Sequence, residues 1–357
     1  MSGTLEDVPD CPLCGSAESR FLFTAVDRLH RLPGEFPVVE CSACTLVRLR
    51  TRPSRSGLTG FYPSEHYYSY QAPASSMSTI KARGVSRWLR DGIRDSVLQS
   101  LNYRVPPLRW WQRLLQRPFV ALFRNPAVYG LHGFPPYVES GRALDVGCGN
   151  GSFLSYLKHH GWNVAGIEIS DKAAKVARNT FGIDVFVGEL GSAPWGAGSF
   201  DFISIRHVVE HVADPVALLM RAAELLKDGG AIYVETPNTK SVGFRRWREY
   251  WLHLDAPRHL VLFSPDTIRA AAAHAGLVVR GLKTFEFRNG WSWAATFRRE
   301  DRESRELPTR PMITARTRIG DALENLEARA RSAGDVLGAW LSRDAGAVQQ
   351  MRQRATG

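Results

Sequence analysis

Between residues 141 and 287, short apolar runs alternate with stretches whose apolar residues recur at helical spacing. The runs Arg142–Val146, Asn163–Ile169, Asp184–Val187, Phe200–Ile205 and Ala231–Thr236 read as strands. Between them lie a helix stopped by Gly161, a helix over 171–180 capped by Ser170 or Asp171, and a helix from Pro215 to Leu226 closed at Gly229. Ser264 and Pro265 open a further helix over 265–275 as cap and first residue, and Gly276 ends it before a sixth strand within 277–287. Strict alternation of this kind predicts an α/β domain with a doubly wound sheet.

The chain before residue 141 follows no such alternation. Phe61-Tyr62-Pro-Ser-Glu-His66-Tyr67-Tyr68-Ser-Tyr70 reads as an aromatic loop. Trp88, Leu89, Ile93, Val97 and Leu101 then recur at roughly helical spacing, and a denser run follows from Trp110 to Phe123. The chain therefore divides into 1–60, an aromatic and basic helical linker or lid over 61–140, the α/β domain over 141–345, and a loose tail over 346–357.

Charge adds to this picture. The chain of 357 residues carries 46 Lys and Arg against 35 Asp and Glu, a net charge of +11. Segment 81–125 alone holds ten basic residues against two acidic ones, a net of +8. Its arginines are interleaved with apolar residues, so it is either a solvated face on packed helices or a contact for an anionic surface. Nucleic acid is disfavoured, because no RNA- or DNA-binding motif accompanies the charge. The short, acidic N-terminus lacks the features of a signal peptide, and no apolar run reaches membrane-spanning length. These features predict a cytoplasmic protein, peripheral at the inner face of the membrane if 81–125 touches lipid.

Cysteine spacing defines the first unit. Cys11-Pro-Leu-Cys14 and Cys41-Ser-Ala-Cys44 are two C-x2-C pairs separated by 26 residues. Four soft ligands at this spacing make a closed tetrahedral Zn²⁺ site, structural because no coordination position stays open. A segment this small would draw much of its folding free energy from the metal.

The richest chemistry lies in Ala143-Leu-Asp-Val-Gly-Cys-Gly-Asn-Gly-Ser152, where a strand runs into a glycine turn that opens a helix. A dinucleotide fingerprint needs G-x-G-x-x-G, but Ser152 follows Gly147, Gly149 and Gly151, so that pattern is not met. What remains is a turn that can face a small charged ligand. The next strand ends on Glu168, 21 residues after Gly147, where a carboxylate can accept both hydroxyls of a ribose.

With these residues the chain resembles the class I S-adenosylmethionine-dependent methyltransferases, whose first motif reads much like Leu144–Gly151. The resemblance implies a Rossmann-like seven-stranded sheet. Gly334–Ser342 would be its antiparallel closing strand and about 290–332 a helical insertion before it. It also implies S-adenosylmethionine as cofactor, held by Asp145, the three glycines, Glu168 and Ile169, with Glu189 and Leu190 near adenine.

The acceptor side is less defined. Arg206-His207-Val-Val-Glu210-His211-Val-Ala-Asp214-Pro215 contains H-x-x-E-H, a metalloprotease pattern that needs both histidines on one helix. Here His207 ends a strand and the helix starts only at Pro215, so no metal is expected; Glu210 and His211 read as bonding loop backbone. His207 is the predicted general base, with His259 as the alternative. The segment Trp251-Leu-His253-Leu-Asp255-Ala-Pro-Arg258-His259 resembles a stretch of zinc-ribbon methyltransferases associated with bacterial cell-surface glycans and lipids. It would line the acceptor site through Trp251, Asp255 and Arg258, the last holding a substrate phosphate or carboxylate, with Tyr67 contributing from the aromatic loop. The expected reaction is O-methylation of a saccharide, lipid-linked glycan or related natural product. C-methylation of a nucleotide-linked sugar, and a non-catalytic membrane-surface or nucleic-acid binding protein, are the alternatives.

Overall fold

The computed structural model describes residues 5–62, 85–105, 132–286, 289–303 and 311–343. Residues 63–84, which include the aromatic loop beyond Tyr62 and Tyr67, residues 106–131 with the later part of the basic segment 81–125, and the tail after Arg343 fall outside the described residues.

Five strands open the chain: β1 (Leu5–Asp7), β2 (Ser19–Ala25), β3 (Phe36–Cys41), β4 (Val47–Leu49) and β5 (Thr51–Pro53). After helix α1 (Val85–Ser100) comes the alternating region: β6 (Arg142–Val146), α2 (Ser152–His159), β7 (Asn163–Glu168), α3 (Asp171–Phe181), β8 (Asp184–Val187), β9 (Phe200–Arg206), α4 (Pro215–Leu225) and β10 (Leu226–Pro237). Helix α5 (Val242–Trp247), β11 (Val261–Leu262), α6 (Pro265–His274), β12 (Leu277–Phe285), α7 (Gly290–Glu303), α8 (Ala315–Arg331) and β13 (Val336–Arg343) complete the described elements. Seven strands form one mixed sheet in the order β12-β13-β10-β9-β6-β7-β8. Strand β13 runs antiparallel to both β10 and β12, and the expected helical insertion consists of α7 and α8. The strand order turns back beside β6, the position at which open α/β sheets take their ligands.

One boundary differs from the sequence expectation. Helix α4 stops at Leu225, and β10 begins at once instead of after Gly229. Lys227 holds the Asp201 carboxylate at 2.7 Å, and a Cβ on Gly230 would stand 2.9 Å from the Asp201 carbonyl oxygen. The polar, glycine-bearing stretch is thus drawn out as strand, because only Gly allows so close a backbone approach.

The chain forms two compact units. One comprises residues 68–204 and 225–231. Its helices pack small residues inward: Ala173, Ala174 and Ala177 of α3 are buried, as are Phe153, Leu154 and Leu157 of α2. The Ser170 hydroxyl caps α3 by accepting from Ala173 N, and Gly182 in the left-handed region ends it.

The other unit comprises residues 1–67, 205–224 and 232–357. In it β11 adds to the cysteine segment's own strands, giving a four-stranded sheet ordered β11-β4-β3-β2, with Val261 opposite Arg48 and Leu262 opposite Val47. Phe36, Val38, Val47, Leu49 and Phe61 share one apolar core with Phe244, Trp247, Trp251 and Leu254. Each such side chain, once buried, contributes roughly 1.5–3 kcal/mol. A segment too small to build a core of its own thus takes part in a larger one.

Candidate active site

The donor-side residues lie in the first unit. Gly147, Gly149 and Gly151 all sit at positive φ (72°, 53° and 79°), so the turn after β6 demands glycine at each. Amides of Gly147 and Cys148 donate to the Ile167 carbonyl, fixing the turn against β7. Glu168, at the end of β7, is 9% exposed and accepts from Gly149 N at 2.8 Å and Ser170 N at 2.9 Å, one bond to each carboxylate oxygen. A carboxylate offers about four acceptor sites, so its orientation is fixed while capacity for two hydroxyls remains. Burial pushes its pKa up, against the backbone N–H groups that favour the charged form. Ile169 follows directly and is 70% exposed, an apolar face of the kind a purine covers. Asp145 is buried, Glu189 is exposed, and the Leu190 side chain packs into the core. What Leu190 can present to a ligand is therefore its backbone.

His207 stands just past β9, in the second unit, and is held by two carboxylates. Its Nδ1 donates to Glu210 at 3.1 Å, and its Nε2 lies 3.3 Å from Glu235. Glu210 is fully buried and also accepts from Thr236 Oγ1, while Glu235 accepts from Tyr233 Oη. Burial works against a charged imidazole, but the two carboxylates outweigh it and raise the His207 pKa to about 10. For Glu210, burial alone would raise the pKa, yet His207 brings it down to about 2. At neutral pH His207 is thus an imidazolium donating from both nitrogens, with no lone pair to receive a proton. The two carboxylates thus favour the charged ring, which argues against the expected general base at His207.

His259, with 7% of its surface exposed, is in the opposite condition. Its Nδ1 lies 2.8 Å from the His253 carbonyl, which can only accept, so the ring proton is on Nδ1. Burial, reinforced by neighbouring His211, holds its pKa well below the usual imidazole value. The result is a neutral ring with a lone pair on Nε2, which lies 3.9 Å from Asp255 Oδ2. His211 crosses it edge-on at 4.6 Å between centroids and donates from Nδ1 to the Arg258 carbonyl. Glu210, His211 and His259 bring ligand-type atoms within 4.8 Å of one another, although both Glu210 oxygens already accept from His207 and Thr236. The H-x-x-E-H segment is a turn, not a helix.

Two further expectations are corrected. Arg258 is 0% exposed, so no substrate anion reaches it. Its five N–H donors are consumed: two on Asp27 (2.8 and 2.9 Å), two on Asp255 (2.6 and 3.0 Å) and one on the Phe61 carbonyl (3.1 Å). Burial would lower its pKa, but the two aspartates raise it above the usual arginine value. Trp251 is 3% exposed and donates to Asp335 at 2.8 Å, which makes it part of the core rather than a substrate wall. Sequence reading missed Asp27 and Glu235. Glu235 carries a signal, being the single charge in the apolar run Ala231–Thr236, whereas Asp27 lies 231 residues from its partner and carries none.

The cysteines converge. Sγ atoms of Cys11 and Cys44, and of Cys14 and Cys41, are each 3.5 Å apart, and all four lie within 4.8 Å of one another. A tetrahedral zinc with Zn–S bonds of about 2.3 Å sets sulfurs roughly 3.8 Å apart, so the set fits. Both knuckles repeat one backbone pattern: Gly15 N to Cys11 O and Cys11 N to Ser16 O, then Thr45 N to Cys41 O and Cys41 N to Leu46 O. Gly15 (φ 75°) and Thr45 (φ 63°) occupy the same left-handed position. Burial pushes the Cys11 and Cys44 thiols up, a cost that a dication removes by binding thiolate.

Sheet order, glycine turn and following carboxylate define the class, and the chain belongs to the class I S-adenosylmethionine-dependent methyltransferases. A family described as methyltransferase domain matches residues 112–282. The ubiquinone biosynthesis O-methyltransferase of Bordetella avium is 30% identical over 199 residues, covering 50% of this chain and 79% of that protein. Its namesake in Xanthomonas campestris pv. campestris (strain B100) is 32% identical over 143 residues, covering 38% of this chain and 59% of that protein. Among solved structures, an S-adenosylmethionine-dependent methyltransferase from Mesorhizobium loti matches at 18% identity and a TM-score of 0.42, over 61% of this chain and 96% of that one.

Proposed function

We propose that the chain transfers a methyl group to a hydroxyl oxygen of a saccharide, lipid-linked glycan or related natural product, with His259 as general base. The observation that carries this reading is the neutral His259 ring, anchored through Nδ1 and keeping a lone pair on Nε2. The relatives named as O-methyltransferases of ubiquinone biosynthesis support oxygen as the accepting atom. When bound, S-adenosylmethionine supplies an electrophilic methyl group. Glu168 would accept the ribose hydroxyls, Gly147–Gly151 would hold the methionine part, Ile169 would face adenine, and Asp145, Glu189 and the Leu190 backbone would complete the pocket. His259 would take the acceptor proton on Nε2 as the oxygen bonds to the methyl carbon and the carbon–sulfur bond breaks, leaving a neutral thioether, and Asp255 would stabilise the imidazolium that forms. The His207 imidazolium, held by Glu210 and Glu235, stiffens the loop that carries His211. The four cysteines hold a structural zinc.

The test is His259→Gln, assayed with donor and a panel of hydroxylated saccharide and lipid-linked acceptors. Turnover should fall roughly 10²–10⁴-fold while donor affinity is unchanged. Full turnover in this variant, or a methylated carbon in the product, would refute the assignment.

A further inference from the structure

Helix α8 is amphipathic the wrong way round. The side it buries carries Thr317, Gly320, Asp321, Glu324 and Ala328. The side it exposes carries Ile319 (61% exposed), Leu323 (59%) and Leu326 (61%), at the i, i+4, i+7 spacing of one continuous stripe, with Ile313 (55%) just before the helix. This rotation is fixed. Asp321 accepts from the Ser292 amide at 3.0 Å and also from its hydroxyl, and Glu324 accepts from Trp247 Nε1 at 2.7 Å and Arg246 at 3.3 Å. Gly320 lies against the Trp291 ring so closely that a Cβ would stand 2.5 Å from it. Turning the stripe inward would break every one of these bonds and leave two carboxylates without partners.

The charges around the stripe are of one sign. Arg316 and Arg318 are exposed and Arg329 is paired with Glu286, whereas Asp321 and Glu324 are buried and Glu327 is paired with Arg246 and Arg331. An apolar stripe with a cationic rim on a single convex helix matches a surface that is anionic outside, apolar beneath, and without fixed shape. We propose that α8 is a docking face for an anionic lipid bilayer, with Ile319, Leu323 and Leu326 entering the acyl boundary and Arg316 and Arg318 meeting headgroup phosphates. A second copy is the poorer occupant, because it presents the same cationic rim on a chain of net charge +11. Among the described residues no helix is long and apolar enough to cross a membrane, so contact through α8 is peripheral. This proposal concerns a surface apart from the acceptor chemistry and does not rest on it.

Flotation of the full chain with phosphatidylcholine vesicles, with and without phosphatidylglycerol, tests it. The wild type should float with the anionic vesicles, be released by salt, and stay behind with phosphatidylcholine alone. Leu323→Ser/Leu326→Ser should weaken flotation roughly tenfold or more. Its melting temperature should be unchanged, since both side chains already face solvent. Arg316→Gln/Arg318→Gln should lower the salt sensitivity, with the arginines of 81–125 left in place as an internal control. A wild type that does not float, or a serine variant that floats equally well, overturns the proposal. So does a dimer that the serine variant splits, which would assign the face to a second copy.

Discussion

Replacing Arg258 by Leu removes a cation that is fully buried and spends five N–H groups on Asp27, Asp255 and the Phe61 carbonyl. Four of those bonds end on carboxylates, where a single charged hydrogen bond is worth about 1.5–3 kcal/mol. Asp27 keeps the amides of Leu29 and His30, which spare part of its cost. Removing one side of a buried ion pair costs about 3–5 kcal/mol net, and that figure applies here. At about 2 °C per kcal/mol for a chain of this size, the melting temperature should fall by roughly 6–10 °C. Arg258→Lys should recover little, because an ammonium has three donors on one centre and cannot bridge two carboxylates and a carbonyl. Calorimetric melting of wild type, Arg258→Leu, Asp27→Asn and the double variant gives the coupling directly, and the double variant should be less destabilised than the two singles combined. If Arg258 instead held a substrate anion, the leucine variant would melt as wild type and only the acceptor KM would rise. That outcome would refute the reasoning.

Glu168→Ala should weaken S-adenosylmethionine binding at least about tenfold by calorimetry, since it removes charge-assisted bonds to the ribose; unchanged affinity would displace the donor from this turn. His207→Gln should be least stable relative to wild type between about pH 4.5 and 6.5. The His207 contribution is complete below its ordinary value of 6.5 and fades as pH rises through about 10, while that of Glu210 is complete above 4.5 and fades toward about 2. Melting curves across that range check it, and a pH-independent difference would contradict it. Metal analysis should find about one zinc per chain, lost on Cys41→Ser. Thr45→Gly should raise the melting temperature slightly: the left-handed site costs a β-branched residue about 1–2 kcal/mol, against about 0.5–1 kcal/mol of added chain entropy for glycine.

The sheet was legible because its signals are local. Strand β8 falls on its expected residues, and the caps at Ser170 and Ser264 act within three residues of themselves. The donor turn is equally local, since three glycines at positive φ leave a direct trace in the sequence. The acceptor side was not legible, for two reasons. Arginine beside histidine in Asp255–His259 looks the same whether the cation faces a ligand or a carboxylate, and the deciding residue is Asp27, far along the chain. His207 and His259 look alike as letters; what separates them is two carboxylates around one ring and one carbonyl beside the other. Helix α8 misleads for a related reason, because its apolar spacing is ordinary and only the hydrogen bonds of Asp321 and Glu324 show which side faces in.

Strand β11 begins two residues after His259 and finds its partner in β4, which begins three residues after Cys44. The four-cysteine knuckle and the candidate base are therefore joined by a few covalent bonds and one short ladder. If the cysteines hold zinc, its loss would not stay local: a slack Cys41–Cys44 turn would free β4, and the ring anchored on the His253 carbonyl would lose its support. On the proposed roles of the cysteines and His259, removing the metal would lower turnover while leaving donor binding at Gly147–Gly151 and Glu168 intact.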